Sequence, residues 1–348
     1  MSATAEPFEP VVEPEAAPRP PASAFRLRPG WLVVAGKEFS DHLLSARFYV
    51  LIAILGVAAL IPIYFAAERI RSLADAASGA TAVFLALFTL SPADTGPLTL
   101  LRVTEFVGIA APLLGVVFSF DAVNGERHEG TLPRLLSQPI HRDSVINGKF
   151  VAGLVIISIV LAAVVVVISG FGLLRLGIVP EASEVLRLVG WYLVTVLYVA
   201  MWLAFGMLLS VVIRRAATSA LIGLGAWLFV AMPSPLPFGQ LIVSIVGGAI
   251  APQTGTPDQI LAAASTQQFL LRLLPSTLYR EASIVLLNPL VTTTSSPATL
   301  SQYIQAQQQL TANLSLDQSL LVIWPHVVVL VAITVVCFAL AYMAFMRQ

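Results

Sequence analysis

Six long apolar stretches constrain this chain of 348 residues more than any other feature. A helix that crosses the hydrocarbon core of a membrane needs about 20 mostly apolar residues, because lipid offers no partner for unpaired backbone groups. Only 11% of the residues are charged and the mean hydropathy is +0.88, which excludes a water-soluble globule. We therefore predict an all-α polytopic membrane protein with six transmembrane helices, at residues 48–67, 103–120, 150–174, 188–213, 216–233 and 321–346.

The distribution of positive charge predicts the orientation of these helices, since cytoplasmic flanks retain lysine and arginine. With both termini in the cytoplasm, twelve of the 19 lysines and arginines lie on the inner side. The pair Arg214 and Arg215 separates two apolar runs and fits a tight inner turn. We expect a multi-pass protein of the cytoplasmic membrane. The formal net charge is zero, so no overall basic field points to a nucleic-acid partner.

The segments before the first span and after it complete the predicted organisation. Residues 1–29 contain seven prolines and are predicted to be a disordered cytoplasmic tail. Residues 30–47 are predicted to form an amphipathic interfacial helix, with packing on a soluble partner as the alternative. Helices 1–5 then occupy residues 48–233, and residues 321–348 form the sixth helix and a short cytoplasmic end.

Residues 234–320 form the longest connection and are predicted to lie outside the cell. Within them, the apolar stretch Phe238–Ala251 is too short to cross and is broken by two glycines, which indicates a re-entrant or interfacial segment. The glutamine-rich run Ser301–Gln318 is predicted to be a solvated helix that leads into the last span.

The inner loop 121–149 is the most charged stretch of the chain. The hydroxyl of Thr131 can cap a helix, and Pro133 is tolerated in a first turn, so a short helix is expected from Leu132. Leu135 and Leu136 would share one face with Leu132, and Pro139 would end the helix. A helix this short is marginal alone, so its leucines need a lipid surface or a groove on a soluble partner.

This loop resembles the inner loop of type-2 permease subunits of ATP-binding-cassette (ABC) transporters. The residues that carry the resemblance are Asp121, Gly125–Arg127, Glu129–Leu132, Leu135–Ser137, Pro139–Ile140, Arg142 and Gly148–Lys149. The six-span layout, the amphipathic helix before the first span and the re-entrant segment before the last span are also similar to that family. The resemblance covers about residues 31–346.

The resemblance implies that the short helix is a coupling helix, which joins the permease to a separate ATP-hydrolysing subunit. Two ATPase copies and a second permease chain, identical or homologous, are the implied partners, and the implied function is export. ATP and Mg²⁺ would bind the ATPase, and no cofactor is expected in this chain. The residues implied to contact the ATPase are Glu126, Arg127, Glu129, Gly130, Thr131, Leu132, Arg134, Leu135, Leu136, Pro139 and Arg142. For Arg142 and Lys149, anchoring at the inner membrane surface is an alternative.

The chain lacks the motif that would let it hydrolyse ATP itself. The nearest match to a phosphate-binding loop ends in Gly148-Lys149, but Phe150 follows and Asp143 replaces the first glycine. Hydrolysis is therefore expected from another polypeptide. An intramembrane protease is a remote alternative, because Leu132 stands where an H-E-x-x-H zinc motif beginning at His128 needs its second histidine.

A channel or an ATP-independent transporter is the remaining alternative. Such proteins usually place ionisable residues at mid-membrane depth, and predicted spans one, three, four and five contain none. His326 in the sixth span is expected at the outer membrane edge. The apolar pathway suggests a lipid-like or amphipathic substrate, while the residues that bind it remain unassigned.

Overall fold

The computed structural model describes residues 29–72, 83–90, 102–131, 141–231, 269, 271–289 and 314–347. These residues form α-helices joined by turns, and no strand occurs among them. In chain order the helices are α1 (Gly30–Leu43), α2 (Ala46–Ser72), α3 (Val83–Thr89), α4 (Val103–Val117), α5 (Asn124–His128), α6 (Arg142–Leu176), α7 (Ala182–Val212), α8 (Ala216–Ala231), α9 (Pro275–Leu287) and α10 (Leu316–Met346).

Four of the described helices are long and apolar enough to cross a membrane. They are the Phe48–Arg71 part of α2 and the whole of α6, α7 and α10. The predicted spans 103–120 and 216–233 correspond to α4 and α8, which are apolar but shorter. The 15 residues of α4 rise about 22 Å, less than the roughly 30 Å hydrocarbon core. By length and composition, four of the described helices are thus candidate membrane spans, and the number of crossings predicted from the sequence stays a prediction.

Helix α7 lies at the centre of the bundle and contacts α4, α6, α8, α9 and α10. Of its most apolar stretch 72% is buried, compared with 28% for α2 and 11% for α10. The side chains of Trp191 and Tyr198 on α7 are almost completely buried. The core thus surrounds α7, while α2 and α10 turn large apolar surfaces outward, as lipid-facing helices do.

Helix α1 packs along α6 through Val34, Ala35 and Glu38, all of which are buried. Leu32 and Gly36 of the same helix are exposed. The predicted helix 30–47 is interrupted after Leu43, and α2 begins at Ala46.

Several predicted segments lie outside the described residues. They are the disordered tail except for Pro29, the re-entrant segment Phe238–Ala251, the glutamine-rich run up to residue 313, and the coupling helix within residues 132–140. Three described helices were not predicted, namely α3, α5 and α9. Helix α9 begins with a proline in its first turn, where the missing amide hydrogen has no helical acceptor, and packs against α7 and α10.

Candidate coupling site between α4 and α6

Three helices meet at the buried ammonium of Lys149, which lies near the beginning of α6. Its Nζ is 2.9 Å from Oε1 of Glu38 on α1 and 2.8 Å from Oε1 of Glu126 on α5. The exposed fractions of the Lys149, Glu38 and Glu126 side chains are 4%, 11% and 14%. A buried charge is tolerated when it is paired, so this cation holds α1, α5 and α6 together.

Gly148 allows α1 to come close enough for this contact. A Cβ atom at Gly148 would lie 2.7 Å from Cβ of Val34 and 2.8 Å from the carbonyl oxygen of Trp31. Because Glu38 lies one turn after Val34, the close approach of the two helices brings its carboxylate to Lys149.

The electrostatics keep Glu38 ionised. Burial alone would raise the pKa of its carboxyl group. The Lys149 ammonium, through its charge and its hydrogen bond, and the Lys37 ammonium together outweigh burial and hold the pKa of Glu38 below its ordinary value. The Lys37 Nζ is 3.5 Å from Glu38 Oε1, but its side chain is 58% exposed.

Helix α5 is also fastened to α7. The hydroxyl oxygen of Ser210 accepts hydrogen bonds from the backbone amides of Val123, at 3.0 Å, and Asn124, at 3.2 Å. A guanidinium nitrogen of Arg127 donates to the carbonyl oxygen of Val211 at 3.2 Å. The first part of the inner loop is therefore bound to α6 and α7 directly, and to α1 through Lys149.

An exposed turn follows α5 in the chain. Gly130 has a φ of +69°, the left-handed region that glycine adopts without steric cost, and the amide of Thr131 donates to the carbonyl oxygen of Glu126. Glu129, Gly130 and Thr131 are exposed, and so is Arg142 where α6 begins. The remaining predicted contact residues, Leu132, Arg134, Leu135, Leu136 and Pro139, lie outside the described residues.

The structure corrects one interpretation of Lys149 and adds partners for two other residues. An anchor at the membrane surface needs an exposed ammonium, and that of Lys149 is buried between two carboxylates, so the anchoring interpretation is wrong for this residue. Glu126 and Arg127 have partners within the chain. No local pattern in the sequence identifies Glu38 as the partner of Lys149, because the two residues are 111 positions apart.

A second buried polar cluster lies where α9 meets α10. The carboxylate of Glu281 accepts from Nε of Arg272 at 3.0 Å and lies 2.7 Å from Nε2 of His326. His326 is only 7% exposed and is therefore enclosed by the protein, while its position at the outer membrane edge stays a prediction. The partner of His326 belongs to α9, a helix that the sequence analysis did not predict. Among the described residues, no group of three or more His, Cys, Asp or Glu side chains could hold a metal ion.

Comparison with known proteins identifies a family for this chain. Residues 32–348 match the family described as ABC-2 family transporter protein. The chain belongs to this family. It is 27% identical over 215 residues to the protein named "Probable ABC transporter permease protein NosY" from Stutzerimonas stutzeri. The matched region covers 60% of this chain and 70% of that relative. It is 30% identical over 139 residues to the protein of the same name from Pseudomonas aeruginosa. That matched region covers 38% of this chain and 48% of the relative.

Membership in the ABC-2 family makes this chain a multi-pass membrane permease. The family implies a membrane context and a separate ATPase partner, as the resemblance of the inner loop predicted. The chain is thus a permease subunit rather than the ATPase of its transporter.

Proposed function

We propose that this ABC-2 permease exports a substrate across the cytoplasmic membrane, driven by ATP that a separate subunit hydrolyses. Two permease chains, identical or homologous, work with two ATPase subunits, which bind the ATP and Mg²⁺. Each permease crosses the membrane six times and keeps both termini in the cytoplasm.

The observation that carries this proposal is the buried cluster of Lys149, Glu38 and Glu126, called the Lys149 cluster from here on. Transport driven from outside the membrane requires that a force on the inner loop reach the transmembrane helices. The Lys149 ammonium joins α5 to α1 and α6, and Ser210 joins α5 to α7. A loop fixed in this way moves the helices when it moves, whereas a freely hinged loop would absorb the motion. An ATPase can then shift the permease between two states if it contacts them differently.

The residues of the loop divide into two roles. Glu126 and Arg127 act as positioning residues, because their charged groups are engaged inside the chain. Glu129, Gly130, Thr131 and Arg142 are exposed and form the polar contact surface for the ATPase. Leu132, Leu135 and Leu136 insert into a groove of the ATPase, with Arg134 beside them and Pro139 ending the helix.

Aspartates at the predicted apolar insert test this assignment. We expect the double variant Leu135→Asp and Leu136→Asp to reduce co-purification with the ATPase subunit by tenfold or more, because burying two carboxylates in an apolar groove is unfavourable by several kcal/mol. Co-purification from membranes after affinity capture of the ATPase measures this effect.

Val179→Asp is the matched control, since Val179 is 75% exposed in the short connection between α6 and α7, at the other end of both helices. The control should capture normally. Normal capture of the double variant, at wild-type membrane levels, would contradict the assignment of the loop.

A further inference from the structure

A polar cleft lies between α4 and α9, at the end of α4 opposite α5. Residues from the first two turns of α4 form one wall, and residues from α9 form the other. Polar and charged side chains that line the cleft include those of Arg102, Thr104, Glu105, Thr277 and Arg280. This cleft is distant in sequence and in the bundle from the Lys149 cluster.

Some hydrogen-bond donors in the cleft have no partner within the part of the chain that the structure describes. Thr104 is 8% exposed and Thr277 is 4% exposed, yet neither hydroxyl group makes a hydrogen bond within the described part of the chain. Arg280 is exposed at the same cleft, and no described carboxylate pairs with its guanidinium. Both residues line the cleft, so their hydroxyl groups can donate to a ligand that supplies acceptors.

The carboxylate in the cleft is already engaged. Oε2 of Glu105 accepts from the backbone amide of Arg102 at 3.2 Å, and Oε1 lies 3.9 Å from Nε of Arg102. Glu105 thereby caps the beginning of α4 and offsets the charge of Arg102. Among the described residues, no carboxylate compensates the Arg280 guanidinium, and the amino-terminal turn of α9 adds partial positive charge.

The cleft also has an apolar part. Ile109 on α4 and Ile284 on α9 line it. Gly108 lies against Tyr279, because a Cβ atom at Gly108 would be 2.9 Å from Cε1 of that ring. The cleft therefore offers donors and a positive charge next to a hydrocarbon surface.

We propose that this cleft binds the phosphate group of an amphipathic phosphate ester. The phosphate oxygens accept from the Arg280 guanidinium and from the hydroxyls of Thr104 and Thr277, while the hydrocarbon part rests on Ile109 and Ile284. Phosphate supplies several acceptor oxygens and a negative charge, which match the Arg280 guanidinium and the two hydroxyl groups. This inference does not depend on the coupling mechanism proposed above.

Native mass spectrometry of the full-length chain, purified in detergent and depleted of lipid, tests the site. Phosphatidylglycerol, phosphatidylcholine and inorganic phosphate are titrated separately. We expect phosphatidylglycerol to bind, and we expect Arg280→Gln to weaken this binding about tenfold, because one charge-assisted interaction is lost. Thr277→Val, which keeps the side-chain shape, should weaken it by a smaller factor.

Arg175→Gln is the matched control. Arg175 lies near the end of α6, at the same end of the bundle, and its side chain is 42% exposed and bound to Glu68 at 2.9 Å. The control should bind phosphatidylglycerol like the wild type. If inorganic phosphate binds with the same dependence on Arg280 and phosphatidylglycerol does not, the phosphate site stands and its ligand is soluble. Equal binding by wild type and Arg280→Gln, or no binding of either probe, would overturn the proposal.

Discussion

At the scale of single residues, Lys149 and Lys37 show how burial decides what a charge contributes. Both ammonium groups contact the same carboxylate, Glu38. Lys149 is buried and has a second carboxylate partner in Glu126, whereas Lys37 is more than half exposed. Water screens an exposed pair strongly, but a buried carboxylate that loses its cation has no substitute partner.

Replacing each lysine by methionine separates these two cases. We expect Lys149→Met to lower the free energy of unfolding by about 3–5 kcal/mol, because the buried carboxylate of Glu126 loses its cation and Glu38 keeps only the exposed Lys37. Lys37→Met should cost less than about 1 kcal/mol. Denaturant unfolding of the purified chain in detergent measures both. Equal effects of the two substitutions would show that the Lys149 cluster contributes no more than a surface ion pair.

The same residue also shows the limit of sequence reasoning about the site. The sequence points to the inner loop because its motif is local, and the role of Glu129 and Arg142 in docking stays a prediction. The partner Glu38 is 111 residues away from Lys149, so no local spacing connects them. Only the packing of α1 on α6 places the two side chains together.

At the scale of helices, α4 and α7 approach so closely that their backbones touch. A Cβ atom at Gly115 of α4 would lie 2.9 Å from the amide nitrogen of Leu203 and 2.9 Å from the carbonyl oxygen of Val199. Backbone atoms cannot rotate away as a side chain can. Small residues permit this kind of approach between membrane helices, where dispersion contacts replace the hydrophobic effect.

Gly115→Ala is therefore expected to destabilise the chain by about 1–3 kcal/mol, since the added methyl group forces α4 and α7 apart. Gly36→Ala on α1 is the control, because no atom lies within 4 Å of the added Cβ. Alanine favours the helix over glycine, so the control should be neutral or stabilising by up to about 1 kcal/mol. Thermal unfolding in detergent compares the two, and similar midpoints would contradict the close packing of α4 and α7.

The sequence analysis did not predict helices α3 and α9, and their lengths explain why. They contain 7 and 13 residues, which is too short for either a transmembrane pattern or a stable isolated helix. Contacts from other helices stabilise them. The amides of Phe84 and Leu85 at the beginning of α3 donate to Glu184 on α7, and Trp191 on α7 donates to Ser283 on α9.

At the scale of the whole molecule, the two ends of the bundle carry different polar structures. The Lys149 cluster occupies one end, and the Glu281–His326 pair and the cleft lie towards the other. The positive-charge bias predicts that the Lys149 end faces the cytoplasm. Transport by the proposed mechanism requires this orientation, because ATP is available only there.

Cysteine labelling tests the orientation. In a Cys337→Ser background, Thr131→Cys and Val179→Cys each place a thiol at an exposed position, at opposite ends of α6. A membrane-impermeant maleimide added to intact cells should label Val179→Cys and leave Thr131→Cys unlabelled until the membrane is opened. The reverse pattern would overturn the predicted orientation and, with it, the assignment of the inner loop as the ATPase contact.

The sequence alone determined that this chain is helical and built for a membrane, because a long apolar run in lipid must satisfy its own backbone hydrogen bonds. It also identified the inner loop, whose motif is contiguous. The tertiary structure decided which charges are buried, which helix is central, and where α9 forms its contacts with His326. These properties depend on side chains that are far apart in sequence, such as Glu38 and Lys149, and the free energy of a charge depends on the atoms that surround it in the folded chain.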